Sequence, residues 1–212
     1  MERAAVAPTS DTVERSCRRQ TSQSGQGEIG RGSLSERAMA SRPEPVVRDA
    51  EHDDVAAICR FGEAHIRPHY APLIGAEAAD EQVRRWWNET HVGAAVAEGL
   101  VVVAEADGQL VGVGQRGRRE ADHVVYKLYV HPQHCGRGLG PQLLDALTRQ
   151  LPANADRLYI EHFVANERAG AFHEREGFAV ERIESSPTED PALGVVWRAR
   201  HLAPIEQTSG QA

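Results

Sequence analysis

Aromatic residues are scarce in this sequence, at 5%. A core short of them is built from aliphatic side chains, which suits a layered α/β domain better than an aromatic-rich β sandwich. Lysine is nearly missing: Lys127 is the single one, and every other basic residue is arginine. The three cysteines, Cys17, Cys59 and Cys135, are far apart, odd in number and without a CxxC pair. That pattern argues against a disulfide framework and leads to the expectation of reduced thiols in a cytoplasmic protein. No run of about 18 apolar residues occurs, so no membrane span is expected, and residues 1–30 lack the apolar stretch of a secretory signal. An excess of positive charge is lacking too. With a formal charge of −7, nucleic acid is not an expected partner, because a phosphate-neutralising surface needs basic patches. Any anion site must therefore be local.

What the sequence does contain is one domain's worth of patterned text. Its 212 residues and 41% hydrophobic content suffice for one core and are short for two. Residues 1–43 are rich in Ser, Gln, Gly, Arg and Glu and carry too few apolar residues to bury a face, so a disordered polar arm is expected there. A folded domain is expected over 44–203, followed by a flexible tail over 204–212. Within the domain Val46–Arg48 reads as a strand. Asp53 caps a helix carrying Val55, Ile58, Cys59 and Phe61, which Pro68 is expected to stop. A second helix is expected over about residues 80–90. Strands over 100–106 and 110–115 are joined by Asp107-Gly108, a hairpin turn. A third strand runs over 124–130. Leu139, Leu143, Leu144, Leu147 and Leu151 then form the apolar stripe of a helix. A strand over 158–164, a helix over 166–176, and strands over 178–183 and 195–201 close the order β α α β β β α β α β β.

The most informative stretch runs from Tyr126 to Leu144. A strand ends, Gly136, Gly138 and Gly140 make a turn, and a leucine-striped helix begins at once. The first amides of such a helix are unpaired, missing Cβ atoms let a phosphate come close, and the helix dipole adds favourable potential. Pro141 costs little in a first turn. The spacing is not that of a dinucleotide fingerprint, since neither Gly136 nor Gly138 starts GxGxxG, and no Gly-Lys-Ser/Thr ends a Walker A loop. On its own such a turn serves equally to tighten strand-to-helix packing.

Leu128-Tyr-Val-His-Pro132 followed by Gly136-Arg-Gly-Leu-Gly140 resembles motif A of the GNAT superfamily of N-acetyltransferases. Asn166-Glu-Arg-Ala169 and Phe172-His-Glu-Arg-Glu-Gly-Phe178 resemble its motif B. The resemblance covers about residues 45–203, with the specific motifs confined to 126–178. It implies an α/β (α+β) fold with a mixed, mostly antiparallel central sheet, helices on both faces, and a splay between strands 4 and 5. It implies acetyl-coenzyme A as co-substrate and transfer of its acetyl group to an amine. By position, the turn of Cys135, Gly136, Arg137, Gly138, Leu139, Gly140 and Pro141 would hold the diphosphate. Leu128, Tyr129 and Val130 would pair through the backbone with the pantetheine arm, and Asn166 would meet pantetheine while capping its helix.

Two departures matter. Cys135 stands where the family usually has Gln or Arg, so a side-chain contact to phosphate is missing. His173 stands where many members have the Tyr that protonates the leaving thiolate; as imidazolium it would donate that proton, with an ordinary pKa near ~6.5. The base that takes the amine's proton is expected from Glu161 or His162, neighbours pointing to opposite faces of one strand, with Tyr126 and His123 behind them. The acceptor pocket is expected around His69, Tyr70 and Trp86 and the loop 184–194, serving an amine-bearing small molecule or a peptide N-terminus in a monomer or homodimer. No metal is expected. Two rival readings are a non-catalytic acyl-coenzyme A-binding regulator and a toxin-like acetyltransferase of aminoacyl-tRNA.

Overall fold

A computed structural model describes residues 44–186 and 190–202. The arm 1–43, the tail 204–212 and Cys17 lie outside the described residues. The domain is a seven-stranded sheet in the order β1-β2-β3-β4-β5-β7-β6, with β1 Val46–Asp49, β2 Val101–Ala106, β3 Gln109–Arg119, β4 Asp122–Val130, β5 Arg157–Phe163, β6 Ala179–Glu184 and β7 Val195–His201. Every neighbouring pair is antiparallel except β4 with β5. The β2–β3 hairpin turns at Asp107 and Gly108, both at positive φ, as the two-residue signal requires.

One apolar layer packs α1 Val55–Phe61, α2 Arg67–Ile74, α3 Ala76–Trp86 and α4 Glu89–Ala97 against Val101, Val103, Val113 and Tyr129. The other packs α5 Leu139–Arg149 and α6 Glu167–Arg175 against Val102, Ala104, Leu128 and Val130. The strict alternation of Val101 to Ala104 between the two layers is the period-two rule of a strand buried on both faces. Leu139, Leu143, Leu144 and Leu147 of α5 are buried, as their spacing demands, while Leu151 lies past the helix end and is half-buried.

Two expectations about the first helices are corrected. Pro68 does not stop the chain, because a π-helical turn over Gly62–Ile66 intervenes and Pro68 falls in the first turn of α2, where a missing N–H costs nothing. A glycine is needed at 62, since a Cβ there would lie 2.5 Å from the Trp87 ring. The single helix expected over 80–90 is two. Asn88 is extended and its side chain accepts a hydrogen bond from the His91 amide, capping α4.

β3 and β4 shift register so that Gln115 faces Lys127 and Arg116 faces Val125. Tyr126 is left as a bulge, which turns both Tyr126 and Lys127 toward the α1–α4 side of the sheet.

Candidate active site

Parallel pairing of β4 and β5 consists of Val124 with Tyr159 and Val125 with Ile160, and ends there. Beyond it the strands diverge, so the β5-facing edge of β4 from Tyr126 to Val130 has no strand partner. A fork of unpaired backbone donors and acceptors in the middle of a sheet needs a ligand to satisfy it.

The glycine turn stands at the mouth of this fork. Gly136 and Gly138 have φ of 73° and 77°, the left-handed region that any side chain resists. Nothing lies within 4 Å of a Cβ at Gly136, and at Gly138 only the Gln142 amide at 3.9 Å. The positive φ, not crowding, therefore demands glycine. The amides of residues 136–140 make none of the turn's backbone hydrogen bonds. They border a cleft of about 240 Å³ formed by Val130, His134, Cys135, Gly136, Gly138, Leu139, Gly140, Pro141 and Arg175. Of the predicted binding residues, Leu128 and Tyr129 are buried on opposite faces of β4, and Arg137 is exposed beside the cleft. Cys135 is buried with its Sγ 3.5 Å from the His131 carbonyl oxygen. Arg175 was not anticipated. Ending α6, it brings to the cleft the cation that Cys135 does not supply, and only the fold, which sets the end of α6 beside the glycine turn, reveals it.

Asn166 caps α6 through Oδ1, which accepts from the Ala169 amide. Its Nδ2 is buried with no partner among the described residues, a donor poised for a ligand acceptor. His162 and Glu161 take opposite faces of β5, as alternation requires. His162 turns to the α6 side, donating from Nδ1 to the Phe163 carbonyl oxygen and accepting at Nε2 from Arg198 Nε–H at 3.3 Å. Burial lowers its pKa to about 4. Both ring nitrogens are engaged, so His162 orders β5 against β7 and has no lone pair for an incoming amine.

His173 has no exposed surface, and among the described residues neither ring nitrogen has a partner. Its ring stands edge-on to His162 at 5.3 Å and beside Phe172 and Phe178. Burial, with the nearby His162 and Arg198, holds its pKa well below the ordinary value. An imidazolium donor, the form expected from the sequence, is therefore unfavourable here; the neutral ring still offers one N–H.

Glu161 is the first residue of β5 past the last β4–β5 pair, on the α1–α4 side. It has no exposed surface and, among the described residues, neither carboxyl oxygen has a partner. Burial raises its pKa well above the usual carboxylate value, opposed by Arg119 and Arg182. Tyr126 is held by its hydroxyl, which donates to the Arg118 carbonyl oxygen at 3.2 Å, and burial pushes its pKa up to about 12, so it is a poor proton acceptor beside Glu161.

Of the acceptor-side candidates, Tyr70 reaches the fork. Its hydroxyl lies 2.9 Å from that of Tyr129 and its ring is edge-on to Phe163 at 5.5 Å. His69 stacks on Tyr70 from outside. Trp86 packs on His91 instead, while Trp87 meets Tyr129 at 5.3 Å; the two adjacent indoles look alike in sequence and only the helix phase separates them. Among the described residues no cluster of His, Cys, Asp and Glu could hold a metal ion, and no helix is long and apolar enough to cross a membrane.

Comparison with known proteins agrees with this geometry. Residues 97–180 match the acetyltransferase (GNAT) domain family. Mycothiol acetyltransferase of Propionibacterium freudenreichii subsp. shermanii is 31% identical over 142 residues, which are 63% of this chain and 41% of that protein. The chain thus spans less than half the length of that relative. The fold is shared with PaiA N-acetyltransferase from Thermoplasma acidophilum in complex with coenzyme A, at a TM-score of 0.63 and 14% identity over 76% of this chain and all of that one. It is shared also with the ribosomal-protein-S18-alanine N-acetyltransferase of Escherichia coli, at a TM-score of 0.58 and 19% identity over 78% and 98%. A splayed parallel pair beside a glycine turn is thus a frame that this chain shares with these acetyltransferases. Over residues 97–180 the chain is similar to the acetyltransferase (GNAT) domain family, and its fold is that of N-acetyltransferases of known structure.

Proposed function

We propose that the chain moves an acetyl group from acetyl-coenzyme A directly to the primary amine of a small molecule or a peptide N-terminus, with no covalent acyl-enzyme. The observation that carries this reading is Glu161. An unpartnered carboxyl buried beside an open backbone fork is costly unless a cation comes to it, and an incoming ammonium is such a cation. Both acceptor classes occur among the relatives' names, one for mycothiol and one for an alanine of a ribosomal protein.

Acetyl-coenzyme A supplies the activated thioester. The amides of residues 136–140 and the Arg175 guanidinium hold its diphosphate. Asn166 Nδ2 donates to the pantetheine arm, and the β5-facing backbone of Leu128 and Val130 orients that arm and stabilises the oxyanion. Glu161 takes the ammonium proton on a carboxylate oxygen, freeing the lone pair that attacks. As the C–N bond forms and the C–S bond breaks, the proton remaining on the attacking nitrogen passes to the leaving sulfur to give the free thiol, and His173, as neutral imidazole, supports that sulfur with a hydrogen bond from its ring N–H.

Free-thiol release from acetyl-coenzyme A over an amine library tests the transfer. Turnover with some amine is expected; calorimetric coenzyme binding with no thiol released from any would describe an acyl-coenzyme A-binding regulator instead. Gly138→Val is expected to weaken coenzyme binding at least tenfold in the same calorimetry. A β-branched residue at φ 77° must leave the left-handed region, which costs about 1–2 kcal/mol or more and moves the cradle amides. His173→Phe is expected to lower kcat about tenfold, the worth of one hydrogen bond to a charged group, with coenzyme affinity kept. Since the donor is neutral, wild-type kcat should not decline as pH rises past the ordinary histidine range; a decline there would restore the imidazolium.

A further inference from the structure

Glu161, Trp197 and Arg182 form one row across the sheet. Glu161 pairs with Trp197 between β5 and β7, and Trp197 pairs with Arg182 between β7 and β6. The Arg182 guanidinium folds back over the Trp197 ring, its Cζ 4.4 Å from the centroid, and Arg119 from the end of β3 reaches the same ring at 4.7 Å. Both guanidiniums converge on one oxygen of Glu184, Arg119 Nη1 at 3.3 Å and Arg182 Nε at 3.1 Å. Two positive charges thus share one carboxylate, and their remaining N–H groups are surplus donors. Side-chain exposures of 41% and 39% leave them within reach of solvent, and such half-exposed pairs exchange partners at little cost. All three charges act on Glu161, which itself has no exposed surface.

We propose, building on the transfer reading above, that the acceptor is an amine that also carries an anionic group, carboxylate or phosphate, bound by Arg119 and Arg182 while its ammonium meets Glu161. An acceptor gains access to the sealed carboxyl by loosening the ion pairs around it. An anion on the acceptor replaces Glu184 as partner of the guanidiniums, planar forks suited to carboxylate and phosphate. A neutral amine breaks the same pairs and returns nothing. With neighbouring strands about 5 Å apart and Arg182 drawn back over Trp197, amine and anion a few bonds apart span the row.

The test is thiol release with matched acceptors: 4-aminobutyrate and 5-aminopentanoate against their amides, and aminoethyl phosphate against ethanolamine. The anionic member of a pair is expected to exceed the neutral one at least tenfold in kcat/KM, with the carboxylate and phosphate arms showing which anion is preferred. Arg119→Gln and Arg182→Gln are each expected to cut that ratio about tenfold, mainly through KM for the acceptor. Turnover that is equal or better with neutral amines, or a ratio untouched in both variants, overturns the anion proposal and leaves acetyl transfer standing. If no amine yields thiol, transfer itself fails. Calorimetric titration of the protein–coenzyme A complex with the same anionic amines then still decides: heat that is lost in both variants upholds recognition by the arginines, and no heat overturns it.

Discussion

Replacing Glu161 by Gln is expected to lower kcat on the order of a hundredfold or more, the usual worth of a positioned base, while calorimetric affinity for coenzyme A stays within a factor of two or so. The argument rests on position and burial together. Glu161 follows the last β4–β5 pair, has no exposed surface and, among the described residues, no hydrogen-bond partner. A carboxyl kept for stability would be paired, because an orphaned one is costly to bury. The same substitution is therefore expected to raise the thermal midpoint by a few degrees, since about 1 kcal/mol corresponds to about 2–4 °C in a domain of this size. The pH dependence gives a second check. Burial raises the folded-state pKa of Glu161, so its contribution to stability is fully present below the unfolded value and is lost as pH rises through the folded one. Wild type should thus lose stability relative to Glu161→Gln as pH climbs from about 4.5. A variant with unchanged turnover, or one less stable than wild type at neutral pH, would remove Glu161 from the chemistry.

The strand, glycine turn and helix beside the fork were legible in the sequence because their signals are local. Strand, glycine turn and leucine-striped helix are contiguous, and Gly136 and Gly138 are glycines for a backbone reason that residue type alone reports. The arginine pair beside Glu161, proposed above to meet the acceptor, was not legible. Arg119, Trp197, Arg182 and Glu184 come from β3, β7 and β6, and only the register of three strands places them around Glu161. The sequence did put Glu161 and His162 on opposite faces, but choosing between them needed Arg198, which occupies the His162 lone pair from another strand. His173 illustrates a different limit: its position is readable, its charge state is not, because burial is a property of the packed layer between Phe172 and Phe178. Asn88 caps α4 in the middle of what the pattern reads as one helix over 80–90, because only its extended backbone separates a cap from an interior residue. Pro68 was read by a sound rule that a π-helical turn sets aside.

Lys127 carries the second large effect. The single lysine of the chain is 2% exposed on the inner face of β4, turned there by the bulge at Tyr126. Its Nζ donates to Gln115 Oε1 and lies 5.3 Å from the Trp87 ring centroid. Burial lowers its pKa to about 7, against about 10.4 in an unfolded chain. The unfolded state therefore holds one more proton over that whole interval, and stability rises with pH across it by about 1.4 kcal/mol per unit. The contribution is fully present above the unfolded value and is lost as pH falls toward 7, below which both states are charged and the curve flattens. In urea melts, wild type is expected to gain about 2–3 kcal/mol relative to Lys127→Met between pH 7.5 and 9.5, the comparison cancelling the titration of groups that do not interact with Lys127. At pH 7 and below, where the ammonium must be buried or the amine neutralised, Lys127→Met should be the more stable chain despite leaving Gln115 without its donor. Parallel stability curves would mean that Lys127 reaches water in the folded state, and that the β4 bulge does not direct it under Trp87.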